Sequence, residues 1–163
     1  MTFRFREFTA HDSAAVLRLN AESVEVLNAM DQARLDWLNQ LAAWHLIAED
    51  DLGVQGFLLT FTDGSAYDST NYRWLAARFK QFLYVDRIVI DAGTRGRGLG
   101  RKFYQQAEAY AKAHGLLWLL CEVDVVPPNP VSLAFHRRLG FVEVGQQVSA
   151  DGKTVAFFAK ALS

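Results

Sequence analysis

The sequence is poor in the residues that define several protein classes. Cys121 is its only cysteine, which excludes an intrachain disulfide and a cysteine-based zinc cluster. The four histidines, His11, His45, His114 and His136, show no metal-ligand spacing, so no metal is expected. Charge of one sign is also lacking. The formal net charge is −1, which argues against an electrostatic nucleic-acid binder. No apolar run is long enough to cross a membrane, and the N-terminal MTFRFREFTA is not a signal peptide. A reducing, cytoplasmic location without membrane attachment is the expectation. All three prolines fall within residues 127–130, so proline breaks the chain at one place.

What is present is apolar. About half of the 163 residues are hydrophobic (51%), enough for the core of one domain spanning 1–163. Thr2–Phe8 alternates as a strand. Asp12 and Ser13 offer N-caps to a helix over 13–28, with Leu17, Ala21, Val24 and Leu27 at helical spacing. A second helix is predicted over 31–44. Strands at 44–49 and 54–61 flank a turn at Asp50–Gly53. Further strands are predicted to end at Ile90 and to span 116–126, 141–148 and 154–161. The last two are joined by a turn at Ala150-Asp151-Gly152-Lys153. Helices are predicted at 99–113 and 131–139. Residues 62–81 form a long polar and aromatic connection, with a short helix at 74–79.

The centre of the chain is Phe82–Tyr110. A buried-type strand, FLYVDRIVI, runs into Asp-Ala-Gly-Thr, then into RGRGLG, then into a helix with Leu99, Phe103, Ala107 and Tyr110 on one face. A glycine loop opening a helix presents unpaired backbone N–H groups and the positive end of a dipole, as a phosphate cradle does. Arg95, Arg97, Arg101 and Lys102 add positive charge there. The loop is not the dinucleotide fingerprint, whose third glycine would fall on Arg101 or Phe103. Nor is it a P-loop, because no Gly-Lys-Ser/Thr follows.

It does match Arg95-x-x-Gly98-x-Gly100. Downstream, Asn129-Pro-Val-Ser132-Leu-Ala-Phe-His136 is followed by Gly140-Phe141. These two motifs, in this order among these elements, make the chain resemble the GNAT acyltransferase superfamily. The resemblance implies an α/β fold: a mixed, mostly antiparallel sheet flanked by helices, with two central strands splayed apart. It implies acetyl-CoA as co-substrate and direct attack by an amine acceptor, without an acyl-enzyme. The pantetheine arm would lie along Ile88, Val89 and Ile90. The pyrophosphate would sit on Arg95, Gly96, Arg97, Gly98, Leu99, Gly100 and Arg101, with Asn129 and His136 flanking the thiol end. A homodimer is a further implication, since dimers are frequent in the family.

His136 stands where the family often has tyrosine. It is either the proton donor to the thiolate, or a residue that only packs against CoA or hydrogen-bonds a backbone carbonyl. For a base the candidates are Tyr84, Asp86 and Glu122, and water-relayed deprotonation stays open. Tyr67, Asp68, Tyr72 and Trp74 are candidate acceptor-binding residues, favouring a cationic or partly apolar amine by charge and cation–π attraction. The alternative is that these aromatics plug the core. A degenerate CoA-binding module and an acyltransferase with a different acyl group remain alternatives.

Overall fold

The computed structural model describes residues 2–23, 29–149 and 151–162. Among these residues seven strands are present: β1 (Arg4–Glu7), β2 (Trp44–Asp50), β3 (Gly53–Thr62), β4 (Phe82–Ile90), β5 (Trp118–Val126), β6 (Val142–Val148) and β7 (Thr154–Ala161). Five helices join them: α1 (Ser13–Glu22), α2 (Gln32–Leu41), α3 (Thr70–Ala76), α4 (Leu99–Ala113) and α5 (Pro130–Arg138). The strands form one sheet in the order β1-β2-β3-β4-β5-β7-β6. Only β4 and β5 run parallel; every other neighbouring pair is antiparallel. The α/β fold with a mixed, mostly antiparallel sheet is thus observed.

The sheet is covered on both faces. On one, α4 buries Leu99, Phe103, Ala107 and Ala111 against Leu58, Leu83 and Val85. On the other, Val16, Leu19 and Leu35 of α1 and α2 pack on Ile47, Phe57 and Val89. Leu75 of α3 packs among Phe61, Phe82 and Phe157 on the same face.

Several boundaries differ from the sequence reading. Helix α1 stops at Glu22, and the expected continuation over 24–28 lies outside the described residues. Helix α2 stops at Leu41, because Ala42 turns extended and Trp44 pairs with Thr60. Helix α3 starts four residues earlier than predicted. Ser69 caps it by accepting a hydrogen bond from the Tyr72 N–H. Strand β5 begins at Trp118, since Leu116 donates its N–H back to the Ala111 carbonyl at the end of α4. Of the predicted 150–153 turn, Ala150 lies outside the described residues.

The feature that positions the site is a divergence. β4 and β5 are hydrogen-bonded only at Phe82–Trp118, Leu83–Leu119 and Tyr84–Leu120. Beyond that point β4 stays paired with β3, and β5 stays paired with β7. Both diverging strands carry a bulge. Against β3, Val85 faces Thr60 and Arg87 faces Leu59, so Asp86 is the extra residue. Against β7, Val125 is the extra residue. The bulge at Asp86 exchanges the two faces of β4. Leu83 and Val85 share a face with Ile88 and Ile90, while Tyr84 shares one with Arg87 and Val89.

Gly56 sets how closely α4 lies on the sheet. A Cβ there would stand 2.8 Å from the Val89 carbonyl oxygen and 3.0 Å from the Phe103 ring. Because the nearest obstacle is backbone, Gly56→Ala should cost about 1–3 kcal/mol of stability. A thermal melt followed by circular dichroism checks this, and an unchanged midpoint would mean that α4 is free to shift.

Candidate active site

The divergence opens a cleft of about 630 Å³ that passes between β4 and β5. Its mouth lies at the C-terminal ends of both strands, where α4 and α5 begin. Its apex lies where Tyr84 still pairs with Leu120.

At the mouth, Gly98 is the N-cap of α4 with φ +77°, and no side chain caps the helix. Gly96 also has positive φ, at +82°. Glycine is required at both by this left-handed backbone, not by crowding, since a Cβ at either would meet nothing within 4 Å. The first amides of α4 therefore face outward without intrahelical partners. The loop is tied behind. Thr94 donates its hydroxyl to Gln55 Oε1 (2.5 Å), and Asp91 accepts from the Gly93 N–H (3.0 Å). Arg95 and Arg101 are exposed. Arg97 reaches back to Asp50 (3.5 Å) and lies 4.5 Å over the Phe3 ring. At Gly100 a Cβ would stand in ordinary contact with Phe135, at 3.5 Å, so α5 lies against the start of α4.

The wall facing α1–α3 is ionisable. Arg87 donates from Nε to Asp86 Oδ2 (2.6 Å) and from Nη1 to Asn20 Oδ1 (2.9 Å). Tyr67 donates to the other Asp86 oxygen (2.7 Å). Asp86 is thus fully engaged by a cation and a phenol. Glu122, two residues beyond the last β4–β5 pair, has no such ion-pair partner. Tyr84 donates to its two oxygens at 2.6 and 2.7 Å, and Asn71 donates at 3.4 Å. Burial, then repulsion by Asp86, pushes the Glu122 carboxyl up to about 8, and the Tyr84 hydrogen bond only partly offsets this. Burial holds the Tyr84 phenol well above its ordinary range, so it stays protonated. At the outer rim Asp68 accepts two hydrogen bonds from Arg34 (2.8 and 3.0 Å).

On the wall facing α4 and α5, His136 Nδ1 lies 2.7 Å from the Ser132 carbonyl oxygen, and Nε2 lies 2.6 Å from the Tyr104 hydroxyl. A carbonyl only accepts, so Nδ1 carries the proton and Nε2 accepts from Tyr104. Burial lowers the His136 pKa, so the ring is neutral. Asn129 caps α5 by accepting from the Ser132 N–H. Cys121 is buried, which pushes its thiol pKa up and leaves it without nucleophilic character.

Of the residues singled out from sequence, Ile88, Ile90, Gly100, Asn129, His136, Asp86, Glu122, Tyr67 and Asp68 line the cleft. Others are elsewhere. The Val89 side chain packs on the opposite face against α1, and Leu99 is buried under α4. Tyr84 lies below the apex as a donor to Glu122, not as a base. Tyr72 is a core residue whose hydroxyl donates to the Thr62 carbonyl (2.6 Å). Trp74 stacks on Phe157 at 4.1 Å, away from the cleft. For these two the core reading of the aromatics is the one the geometry supports. His136 has no proton on the nitrogen facing Tyr104, so it does not stand ready as a donor there. Tyr104, Asn71, Arg34 and Arg87 were missed. Tyr104 follows Gly100 by four residues on one helix face, and Arg87 is a charge inside an apolar strand; both were readable signals. Among the described residues no group of three or more His, Cys, Asp or Glu could hold a metal ion. No helix there is long and apolar enough to cross a membrane.

Residues 14–141 match the model of the Acetyltransferase (GNAT) family. Over 117 residues the chain is 27% identical to glucosamine 6-phosphate N-acetyltransferase 1 of Oryza sativa subsp. japonica, covering 72% of this chain and 65% of that protein. The chain spans less than two thirds of the length of the curated relatives it matches. The structure is similar to Ard1 from Thermoplasma volcanium, with a TM-score of 0.81 at 16% identity, covering 100% and 99% of the two chains. It is also similar to a phosphinothricin acetyltransferase from Sinorhizobium meliloti in complex with acetyl-CoA. That TM-score is 0.73 at 21% identity, with 100% and 90% covered. At such identities the structural likeness shows the fold alone.

The Tyr84–Glu122 pair can be tested directly. Tyr84→Phe removes the chief donor to the carboxylate, so the Glu122 pKa should climb beyond about 8. Carbon-13 NMR of labelled glutamate carboxyls across a pH series reads this, and a downward shift would refute the assigned role of Tyr84.

Proposed function

This chain belongs to the Acetyltransferase (GNAT) family, and on that premise we propose that it transfers an acetyl group from acetyl-CoA to a small cationic amine by direct attack. The observation that carries this reading is the cleft. An uncapped helix N-terminus and its glycine loop stand at the mouth, and a carboxyl group of raised pKa stands at the apex.

The residues present fit acetyl-CoA. The outward amides of α4, with exposed Arg95 and Arg101 beside them, suit a pyrophosphate. The edge of β4 that faces β5 beyond Tyr84 has no strand partner, which suits the amides of an extended pantetheine arm. When bound, acetyl-CoA supplies the activated acyl group, and the chain supplies position and proton handling. Glu122 takes the proton that an attacking amine must lose. Its raised pKa keeps it basic enough for that task near neutral pH. Asp86 is a poorer candidate, because Arg87 and Tyr67 hold both of its oxygens. Free backbone N–H groups of β4 are the donors available to the acyl oxygen.

The acceptor class follows from charge. The Asp68–Arg34 and Asp86–Arg87 pairs neutralise themselves. That leaves Asp124 and Asp151 on the cleft wall against Lys153, joined by Glu122 where it is ionised. An amine without a carboxylate or phosphate fits this balance best. In a panel of acceptors with acetyl-CoA, reading free thiol, diamines and uncharged amino compounds should outrun amino acids and glucosamine 6-phosphate. If anionic acceptors prove best, the charge argument fails.

Two variants test the mechanism. Because Glu122 acts when ionised, kcat/KM should rise with pH through about 8 and then level off. Glu122→Gln should lose that limb and about a hundredfold in kcat. The folded chain holds the Glu122 proton up to a higher pH than the unfolded one, so ionising Glu122 costs stability as pH rises from 4.5 to about 8. Above pH 8 Glu122→Gln should therefore melt no lower than the parent, which separates lost chemistry from lost folding. Gly98→Asp should weaken CoA binding more than about tenfold, or about 1.4 kcal/mol. The Asp places a carboxylate and a strained left-handed backbone at the phosphate site. Calorimetric titration checks this, and unchanged affinity in a folded variant would remove the loop from the CoA site.

A further inference from the structure

We propose that Asp124 holds a second, non-reacting ammonium group of the acceptor, so that the acceptor is a diamine. This rests on the acetyl-CoA reading above and narrows its acceptor class from cationic amines to those with two charges a fixed distance apart.

Register puts Asp124 and Glu122 on one face of β5. Glu122 pairs with Phe157 and Asp124 with Val155, and both of those partners belong to the core beneath α3. In an extended strand, residues two apart share a face and lie about 6.5 Å from one another. β5 runs outward from its last pair with β4 at Leu120, so Asp124 stands nearer the mouth than Glu122. Both line the cleft. An amine delivered to Glu122 from the mouth therefore trails the rest of its chain past Asp124.

The other carboxylates of the cleft are already engaged. Arg87 and Tyr67 hold Asp86, and Arg34 holds Asp68. Asp151 accepts from the Ser149 hydroxyl and the Lys153 N–H within its own turn. Asp124 has no hydrogen bond or ion pair among the described residues. Lys153 opposes its charge and Asp151 adds to it, both through space only. Asp124 is half-buried, and burial raises its pKa. It has given up water without gaining a cation, which is the condition that an arriving ammonium relieves.

The spacing sets the length of the acceptor. Two ammonium groups that meet carboxyls about 6.5 Å apart need a linker of about four or five methylene groups. A two-carbon linker reaches roughly half that distance. A carboxylate in place of the second ammonium would meet Asp124 as a like charge.

The test uses the full chain with acetyl-CoA and reads free thiol. The acceptors are butylamine, ethylenediamine, and the straight-chain four-carbon and five-carbon diamines. The two longer diamines should exceed butylamine and ethylenediamine in kcat/KM by about tenfold or more. Asp124→Asn keeps the shape and removes the charge, so the ratio of long diamine to butylamine should fall to within about threefold of one. Asp124→Lys should reverse the preference. The straight-chain amino acid in which a carboxylate replaces the second ammonium should then outrun the diamine of equal length, a gain that misfolding cannot produce. Equal rates for long diamines and butylamine in the parent overturn this inference and leave the acetyl-CoA reading in place. So does a diamine preference that survives Asp124→Asn, an unchanged order in Asp124→Lys, or no turnover of any of these amines by a parent chain that binds CoA. A parent chain that binds no CoA in a calorimetric titration overturns the acetyl-CoA reading and this inference with it.

Discussion

The structure depends on a row of hydrogen bonds that is not made. After Tyr84 and Leu120 the two central strands part, and each keeps one edge without a strand partner. Unpaired backbone polar groups inside a protein are costly, so such an edge persists only where water or a ligand reaches it. Both strands carry a bulge in the parting segment, at Asp86 and Val125, and bulges bend and twist the strand that bears them. The opening is therefore built into the register on both sides. It is not a gap left by poor packing.

The same bulge decides which carboxyl group is chemically useful. Asp86, the inserted residue, shares the face of Tyr84 and Arg87, so it meets a guanidinium at 2.6 Å. Glu122, on the neighbouring strand, receives only neutral donors. Two carboxyl groups on one wall are thus given different environments, one paired with a cation and one not. Such separation is how neighbouring acids acquire distinct proton-transfer roles. Arg87 is turned toward Asp86 and Asn20 of α1, which it meets at 2.6 and 2.9 Å, and acts on Glu122 only through space.

What the sequence disclosed, and what it hid, follows from the range of the interactions. The glycine loop was legible because Gly96 and Gly98 answer a local demand, positive φ, that few other residues meet. The element order was legible from local periodicity. Tyr72 and Trp74 read equally as pocket or core, and only distant partners decide between these. The Tyr72 hydroxyl finds the Thr62 carbonyl, and Trp74 stacks on Phe157 from the last strand. His136 sits in a recognisable slot, yet its tautomer is set by a carbonyl in its own helix together with a phenol 32 residues away on α4. Nor does the Asp86 bulge show in an apolar run, because an inserted residue leaves the pattern of residue types readable either way.

Two further glycines do their work by being small. Gly56 lets Leu99 and Phe103 settle against β3, and so sets the depth at which α4 begins. Gly145 makes room for the Trp74 ring, since a Cβ there would run into it. The first fixes the positions of the outward amides and of Tyr104, because one rigid helix carries both. The second lets α3 lie close to the sheet, and α3 is the helix that brings Asn71 to Glu122. A cleft opened by the sheet is thus shaped by how near these two helices can come, and each approach depends on a single missing methyl group.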